Sequence, residues 1–390
     1  MLLAVPLWNT NCCAAVNDTM QSNGRKGIHI GDLFGSLFVL FVVFLFSSTS
    51  LFPQVVNNSL IESNAIKSGR YAVTFPALET IEGEDSEAII TIGSSILQYA
   101  TDGRCITEQL DVPNHNVYNL AVSGANPYTE MIQIPKLIEV HPRAVLLDLG
   151  PNSLWDFYES DSLDEYIQFR FTILSITMAF NTSLEWDHLL RERDKEYIAT
   201  TSIERMNLTS SYSQLAIDRV LLQQSYDFLD LNYVDRKIPG VGDEGWVDYL
   251  QTPRFLAPNF ELKNQSEVDT WFEENMPTRV KYGVYNPQSN GTLNHYALEY
   301  AIEQLRNAGI DVFMIAAPHH PQVYGYLEPG QIDGHNHTLQ YFEEQYGAIP
   351  INWFWEMWDP GMFRDHNHLG DAGREYYCER MALELNSYYA

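Results

Sequence analysis

Four short stretches of this chain carry the residue types that ester chemistry needs. Gly93-Ser94-Ser95 follows an apolar run and offers two hydroxyls in a tight turn. Asn119-Leu120-Ala121-Val122-Ser123-Gly124 and Gly150-Pro151-Asn152-Ser153 also follow apolar runs, and Asp365-His366-Asn367-His368 precedes the last helical pattern. A serine hydroxyl attacks an acyl carbonyl when a base takes its proton and a third group orients that base. In the spacing D-x-x-H, Asp365 accepts from Nδ1 of His368 and leaves Nε2 facing a hydroxyl, an offset that favours His368 over His366. The tetrahedral intermediate then needs donors for its oxyanion. The backbone N–H groups of Ser95 and Gly124 and the side-chain amide of Asn152 supply three, each worth ~3–4 kcal/mol of transition-state stabilisation. Glycine at 124 leaves room for a backbone donor to approach, and a helix start at Ser95 favours developing negative charge. On residue types alone, either serine of the turn qualifies, and a serine there equally serves as a helix cap.

These stretches need a scaffold that brings them together. Apolar runs at 88–92, 117–121, 144–149, 311–317 and 349–353 read as strands, and helical patterns fall at 96–109, 128–139, 296–308 and 371–388. Alternating strands and helices predict an α/β fold with a five-stranded parallel sheet. Near-continuous apolar runs such as Val145-Leu146-Leu147 suit strands buried on both faces. The alternation stops over 154–294, where helix-like segments at 161–180, 186–206 and 211–230 precede an aromatic, loop-rich stretch. We read 154–294 as a large, mainly helical insertion at the carboxyl edge of the third strand, either a lid or substrate wall or a second packing layer. The core is then split into 88–153 and 295–390.

Bulk properties narrow the function. Asp and Glu total 51 against 23 Lys and Arg, for a formal charge of −28. Such a surface repels phosphate backbones, which excludes nucleic acid as the natural partner. Residues 33–52 read LFGSLFVLFVVFLFSSTSLF, close to the ~20 apolar residues that match a bilayer core. Arg25 and Lys26 precede this run, so the expected arrangement is a cytoplasmic segment 1–32, a transmembrane signal-anchor 33–52, a linker 53–87 and an extracytoplasmic remainder. A cleaved signal peptide is the alternative. N-x-[ST] sequons begin at Asn57, Asn181, Asn207, Asn264, Asn290 and Asn336, which suits the outside placement. Cys105 and Cys378 fall on that side, where a disulfide between the first and last helices persists; two buried thiols are the alternative. Pro318-His319-His320-Pro321 with His335 and His337 matches no zinc signature, and we read it as a loop lining the cleft. The aromatic run 353–358 reads as core or cleft wall, with stacking on sugar rings as the other use. No metal or cofactor is expected.

The ordered set Ser95, Gly124, Asn152, Asp365 and His368 resembles the SGNH (GDSL-like) hydrolase superfamily, over about 88–153 and 296–388. The resemblance implies a three-layer α/β/α flavodoxin-like fold, Ser95 as nucleophile, Gly124 and Asn152 in the oxyanion hole, and Asp365 and His368 completing the triad. Two positions depart from the family pattern. Its usual Asp after the first glycine is Ser94 here, and the middle glycine of its second block is Ala121. Gly-Ser-Ser on an anchored domain looks more like the branch acting in D-alanyl transfer and O-acetylation of cell-surface polymers. The expected activity is therefore a serine esterase or O-acyltransferase working on an acyl ester or acylated glycan, within a polysaccharide-modification complex. A non-catalytic partner in such an assembly is the alternative, and a lipase-like enzyme is a third reading.

Overall fold

The computed structural model describes residues 30–47, 77–78, 81, 87–111, 115–122, 125–151, 153–154, 264–281 and 293–390. The chain divides into two compact units, Met1–Leu45 and Phe46–Ala390. The first is described by a helix, α1 (Ile30–Ser47), whose Leu33, Phe34, Leu37, Phe38 and Leu40 side chains are exposed. Among the described residues no helix is long and apolar enough to cross a membrane. The transmembrane span expected at 33–52 is thus not found. The described helix takes in Asp32 at its start and stops at Ser47, and residues 48–52 lie outside the described residues.

The second unit is built on five strands: β1 (Ile89–Ile92), β2 (Val117–Asn119), β3 (Ala144–Asp148), β4 (Asp311–Ala316) and β5 (Ile349–Asn352). All pair in parallel, in the order β2-β1-β3-β4-β5. Ile89 stands opposite Val117 on one side and Ala144 on the other. The first three strands are buried along their whole length, so alternate side chains feed two cores rather than one core and solvent. Ile90, Ile92, Val145, Leu147, Val312 and Met314 face one layer. It contains α5 (Ile134–Val140), α7 (Leu293–Asn307) and α8 (Pro329–Tyr346). Ile89, Ala144, Leu146, Phe313 and Ile315 face the other. It contains α2 (Ser95–Ala100), α3 (Gly103–Gln109) and α9 (Asp371–Tyr389). Each fully buried Leu, Ile or Phe in these layers contributes roughly 1.5–3 kcal/mol.

All five predicted strands exist, each one or two residues shorter than expected. The helix predicted at 96–109 is two helices. Thr101 leaves helical geometry, and Asp102 caps α3 by accepting from the Cys105 amide at 3.0 Å. The pattern at 128–139 is also interrupted: α4 (Pro127–Glu130) passes through a 3-10 turn, Met131–Gln133, into α5. Pro135 in the first turn of α5 has no N–H to continue a ladder. Two helices escaped the sequence pattern, α6 (Gln265–Lys281) and α8. The former carries Pro277 in its interior, and the latter opens on Pro329 and holds Gly330 and Gly334, all poor helix formers. The insertion segments 161–180, 186–206 and 211–230 lie outside the described residues.

Cys105 and Cys378 form a disulfide across 273 positions, joining α3 to α9. A loop that long gives the chain-entropy effect its full size, about 5 kcal/mol. We expect reduction to lower the melting temperature by several degrees. The paired variant Cys105→Ser/Cys378→Ser should match the reduced protein and ignore reductant. Equal melting curves with and without reductant would contradict this.

Candidate active site

The carboxyl ends of the parallel strands meet where the order reverses between β1 and β3, the edge at which open α/β sheets place their ligands. β1 leaves the sheet through Gly93, whose φ is +142°. A Cβ there would sit 2.3 Å from Cβ of Asp148. Glycine therefore solves two problems: it adopts a conformation closed to other residues, and it lets the exit of β1 pass against the end of β3. The next residue, Ser94, is the N-cap of α2. Its Oγ accepts from the Ile96 amide at 3.2 Å and donates to Asp148 Oδ2 at 2.5 Å. Its own N–H donates to the same carboxylate oxygen at 3.2 Å. With Ser94 turned into the fold, Ser95 opens the helix with its hydroxyl on the other side of the turn.

Asp365 and His368 come from the loop before α9. A 3-10 turn, Pro360–Met362, is capped by Asp359, and an antiparallel bridge pairs Phe363 with Leu369. The Arg364 amide donates to the His368 carbonyl at 3.0 Å, and the Gly370 amide to the Met362 carbonyl at 2.8 Å. Gly373 seats this loop on α9, since a Cβ there would meet the Met362 carbonyl oxygen at 2.3 Å. Inside the loop, Asp365 Oδ1 accepts from the amides of Asn367 at 3.0 Å and His368 at 2.8 Å. His368 Nδ1 lies 2.8 Å from Asp365 Oδ2 and 3.0 Å from Oδ1. His368 Nε2 lies 2.8 Å from Ser95 Oγ. Ser95, His368 and Asp365 thus form a continuous hydrogen-bonded relay between positions 273 apart.

Electrostatics fit that geometry. Burial alone would raise the proton affinity of Asp365. The hydrogen bond and charge of His368, the charge of His366 and the Asn367 amide outweigh it and hold the carboxyl well below the usual carboxylate range. Asp365 is therefore anionic whenever the imidazole works. His366, the rival base, has its Nδ1 3.8 Å from Asp365 Oδ1, beyond hydrogen-bond reach. Its ring lies against Trp271 of α6 at 5.2 Å, and burial pushes it down to about 3. Part of the insertion thus lies against the loop that carries His366.

The remaining predicted residues divide. Gly124 and Asn152 lie outside the described residues. Asn119 is structural: its Nδ2 donates to the carbonyls of Gln98 at 3.0 Å and Thr101 at 2.9 Å, closing the end of α2. His319 and His320 stand after β4 beside the relay, and the His320 amide donates to the His366 carbonyl at 3.0 Å. His335 packs against Phe354 and Trp355, whereas His337 is exposed. Among the described residues no three His, Cys, Asp or Glu side chains converge as a metal would require. Trp353, Phe354 and Trp358 are buried in the two cores.

Sequence reasoning missed three neighbours of the relay. Tyr99, one turn along α2 from Ser95, sets its ring edgewise to His368 at 5.3 Å, and Arg364 lies over Tyr99 at 5.4 Å. Asp148 was the legible one, because a carboxylate closing the otherwise apolar strand Ala144–Asp148 is a buried charge that demands a use. Burial raises its pKa, opposed by the Ser94 hydroxyl and amide, the Gly150 backbone and the charge of His368.

Comparison with known proteins adds nothing to this geometry: no protein-family model matches the chain, and no curated protein matches it.

Proposed function

We propose that this protein is a serine esterase or O-acyltransferase of SGNH type that works through an acyl-serine intermediate. The observation that carries the reading is the relay Ser95 Oγ to His368 Nε2 at 2.8 Å and His368 Nδ1 to Asp365 at 2.8 Å. His368 removes the hydroxyl proton as Ser95 Oγ bonds to the acyl carbon. The imidazolium is held by Asp365, and the proton then passes to the departing alkoxide as the ester bond breaks. Water or a hydroxyl of an acceptor, deprotonated by His368, next attacks the acyl-serine and frees Ser95. Gly124 and Asn152, with the Ser95 amide, are the proposed oxyanion donors.

The strand order β2-β1-β3-β4-β5 is the flavodoxin-like one, and it supports the SGNH assignment. The Cys105–Cys378 bridge belongs in an oxidising compartment, and it supports an extracytoplasmic catalytic unit. We propose membrane attachment through 33–52 on the apolar sequence and the exposed apolar side chains of α1. The proposed substrates are small acyl esters and acylated cell-surface glycans.

Trapping tests the reading. Brief exposure to an activated acyl ester, followed by acid quench and peptide mass analysis, should place one acyl group on the Ser95 peptide. Adding a sugar acceptor then separates transfer from hydrolysis, according to whether acyl sugar or free acid accumulates. An unmodified Ser95 peptide with every activated ester and with native envelope material would overturn the proposal.

A further inference from the structure

The relay accounts for one carboxylate at the site, yet the structure buries a second. Asp148 ends β3 at 5% exposure, and its Oδ2 takes both the hydroxyl and the amide of Ser94. Its Oδ1 is buried as well, and the Gly150 backbone acts on the same carboxyl. Its Cβ side sits where any side chain at position 93 would stand. A chain of contacts therefore runs from the Ile96 amide to Ser94 Oγ to Asp148, directly behind the residue that presents Ser95. Capping α2 does not require this arrangement, because Ser94 Oγ already accepts from the helix.

We infer that Asp148 is a positioning residue of the same active site: by holding Ser94 it locks the nucleophile turn and fixes Ser95 Oγ toward His368. The inference rests on the proposed triad. Burial raises the proton affinity of Asp148, and the Ser94 hydroxyl and amide oppose it, ahead of the smaller effect of the His368 charge. The titratable and charged groups around His368 are Asp365 and His366 on its own loop, Arg364 over Tyr99, His319 after β4 and Asp148 after β3. Those facing Asp148 are His368 and, from α9, Tyr377. Asp148 is more deeply buried than Asp365, so its contacts with Ser94 form where an unmade hydrogen bond costs most.

The test measures the rate of fluorophosphonate labelling of Ser95, together with the melting temperature, for the full chain. Asp148→Ala removes the acceptor of the Ser94 hydroxyl and amide, and labelling should be about 10-fold slower or worse. Asp148→Asn keeps an oxygen for that hydroxyl and should bring the rate back to within a few-fold of wild type. Ser94→Ala, which removes the hydroxyl contact while leaving the carboxyl, should also slow labelling about 10-fold, and Ser94→Thr should restore it. A wild-type rate in Asp148→Ala overturns the inference. So does a slow rate in Ser94→Ala that Ser94→Thr leaves slow, the signature of a merely structural residue. If Asp148→Ala does not fold, wild-type labelling in Ser94→Ala overturns it. A wild-type chain that never labels at Ser95 overturns the proposed function itself, a result distinct from all of these.

Discussion

Ser95→Ala is expected to abolish fluorophosphonate labelling and acyl-enzyme formation, whereas Ser94→Ala, one residue earlier, is expected still to label to completion at a reduced rate. The asymmetry follows from where the two hydroxyls point. Ser95 Oγ meets Nε2 of His368 at 2.8 Å, and Ser94 Oγ is engaged by the Ile96 amide and Asp148. Losing the nucleophile of such a relay costs on the order of 10⁴–10⁶ in rate. Losing the cap costs about 1 kcal/mol of helix stability plus a less well-held turn. Peptide mapping of the labelled protein reads the result directly. Label on Ser94, or labelled Ser95→Ala, would reverse the assignment of the nucleophile and dissolve the triad.

Acid is expected to destabilise the fold over a window set by buried histidines. Burial pushes His319 and His320 down to about 4, and His335 and His366 down to about 3. All four rings are buried around the relay or behind it. An unfolded histidine protonates near pH 6.5, so below that pH the unfolded chain binds protons that the folded chain refuses. Stability then rises with pH across the window and falls as pH drops from about 6.5 toward 4, by up to about 1.4 kcal/mol per pH unit for each such histidine. His319 is coupled to both His335 and His366, so the four do not simply add, and the sum is several kcal/mol, a large share of the 5–15 kcal/mol typical of a domain. The two site carboxyls act in opposite senses. Asp365, with its folded pKa lowered, loses its contribution only as pH falls through the usual carboxylate range and below it. Asp148, with its folded pKa raised, is relieved by protonation at higher pH than that. Melting temperature should therefore drop by about 10 °C between pH 7 and 4.5. His335→Phe, which removes one buried imidazole packed against Phe354 and Trp355, should blunt the drop. A flat melting temperature across that range would show that these rings titrate normally.

The two predictions draw on different kinds of information. The nucleophile turn was legible because its signals are local: an apolar run, a glycine and a hydroxyl pair. D-x-x-H was legible because a carboxylate and an imidazole three positions apart reach each other within one loop. The strands were legible for the same reason, since residues buried on both faces are apolar without interruption. The ends of helices were less so. Thr101 breaks the pattern at 96–109 through a cap made by Asp102, and α8 forms in spite of Pro329, Gly330 and Gly334 because its Leu339 and Phe342 are buried in the core. Tertiary packing there outweighs intrinsic propensity.

The sequence by itself determined which residues were chemically able and which segments were strands, because patterning and side-chain type are properties of neighbours along the chain. Only the tertiary structure decided that Ser94 faces Asp148 and Ser95 faces His368, that Trp271 of the insertion lies on His366, and that Cys105 meets Cys378. Each of those pairs is brought together by the order in which parallel strands assemble. That order is selected by how the two apolar faces of the sheet are covered, a choice made over the whole chain at once and written in no single stretch of it.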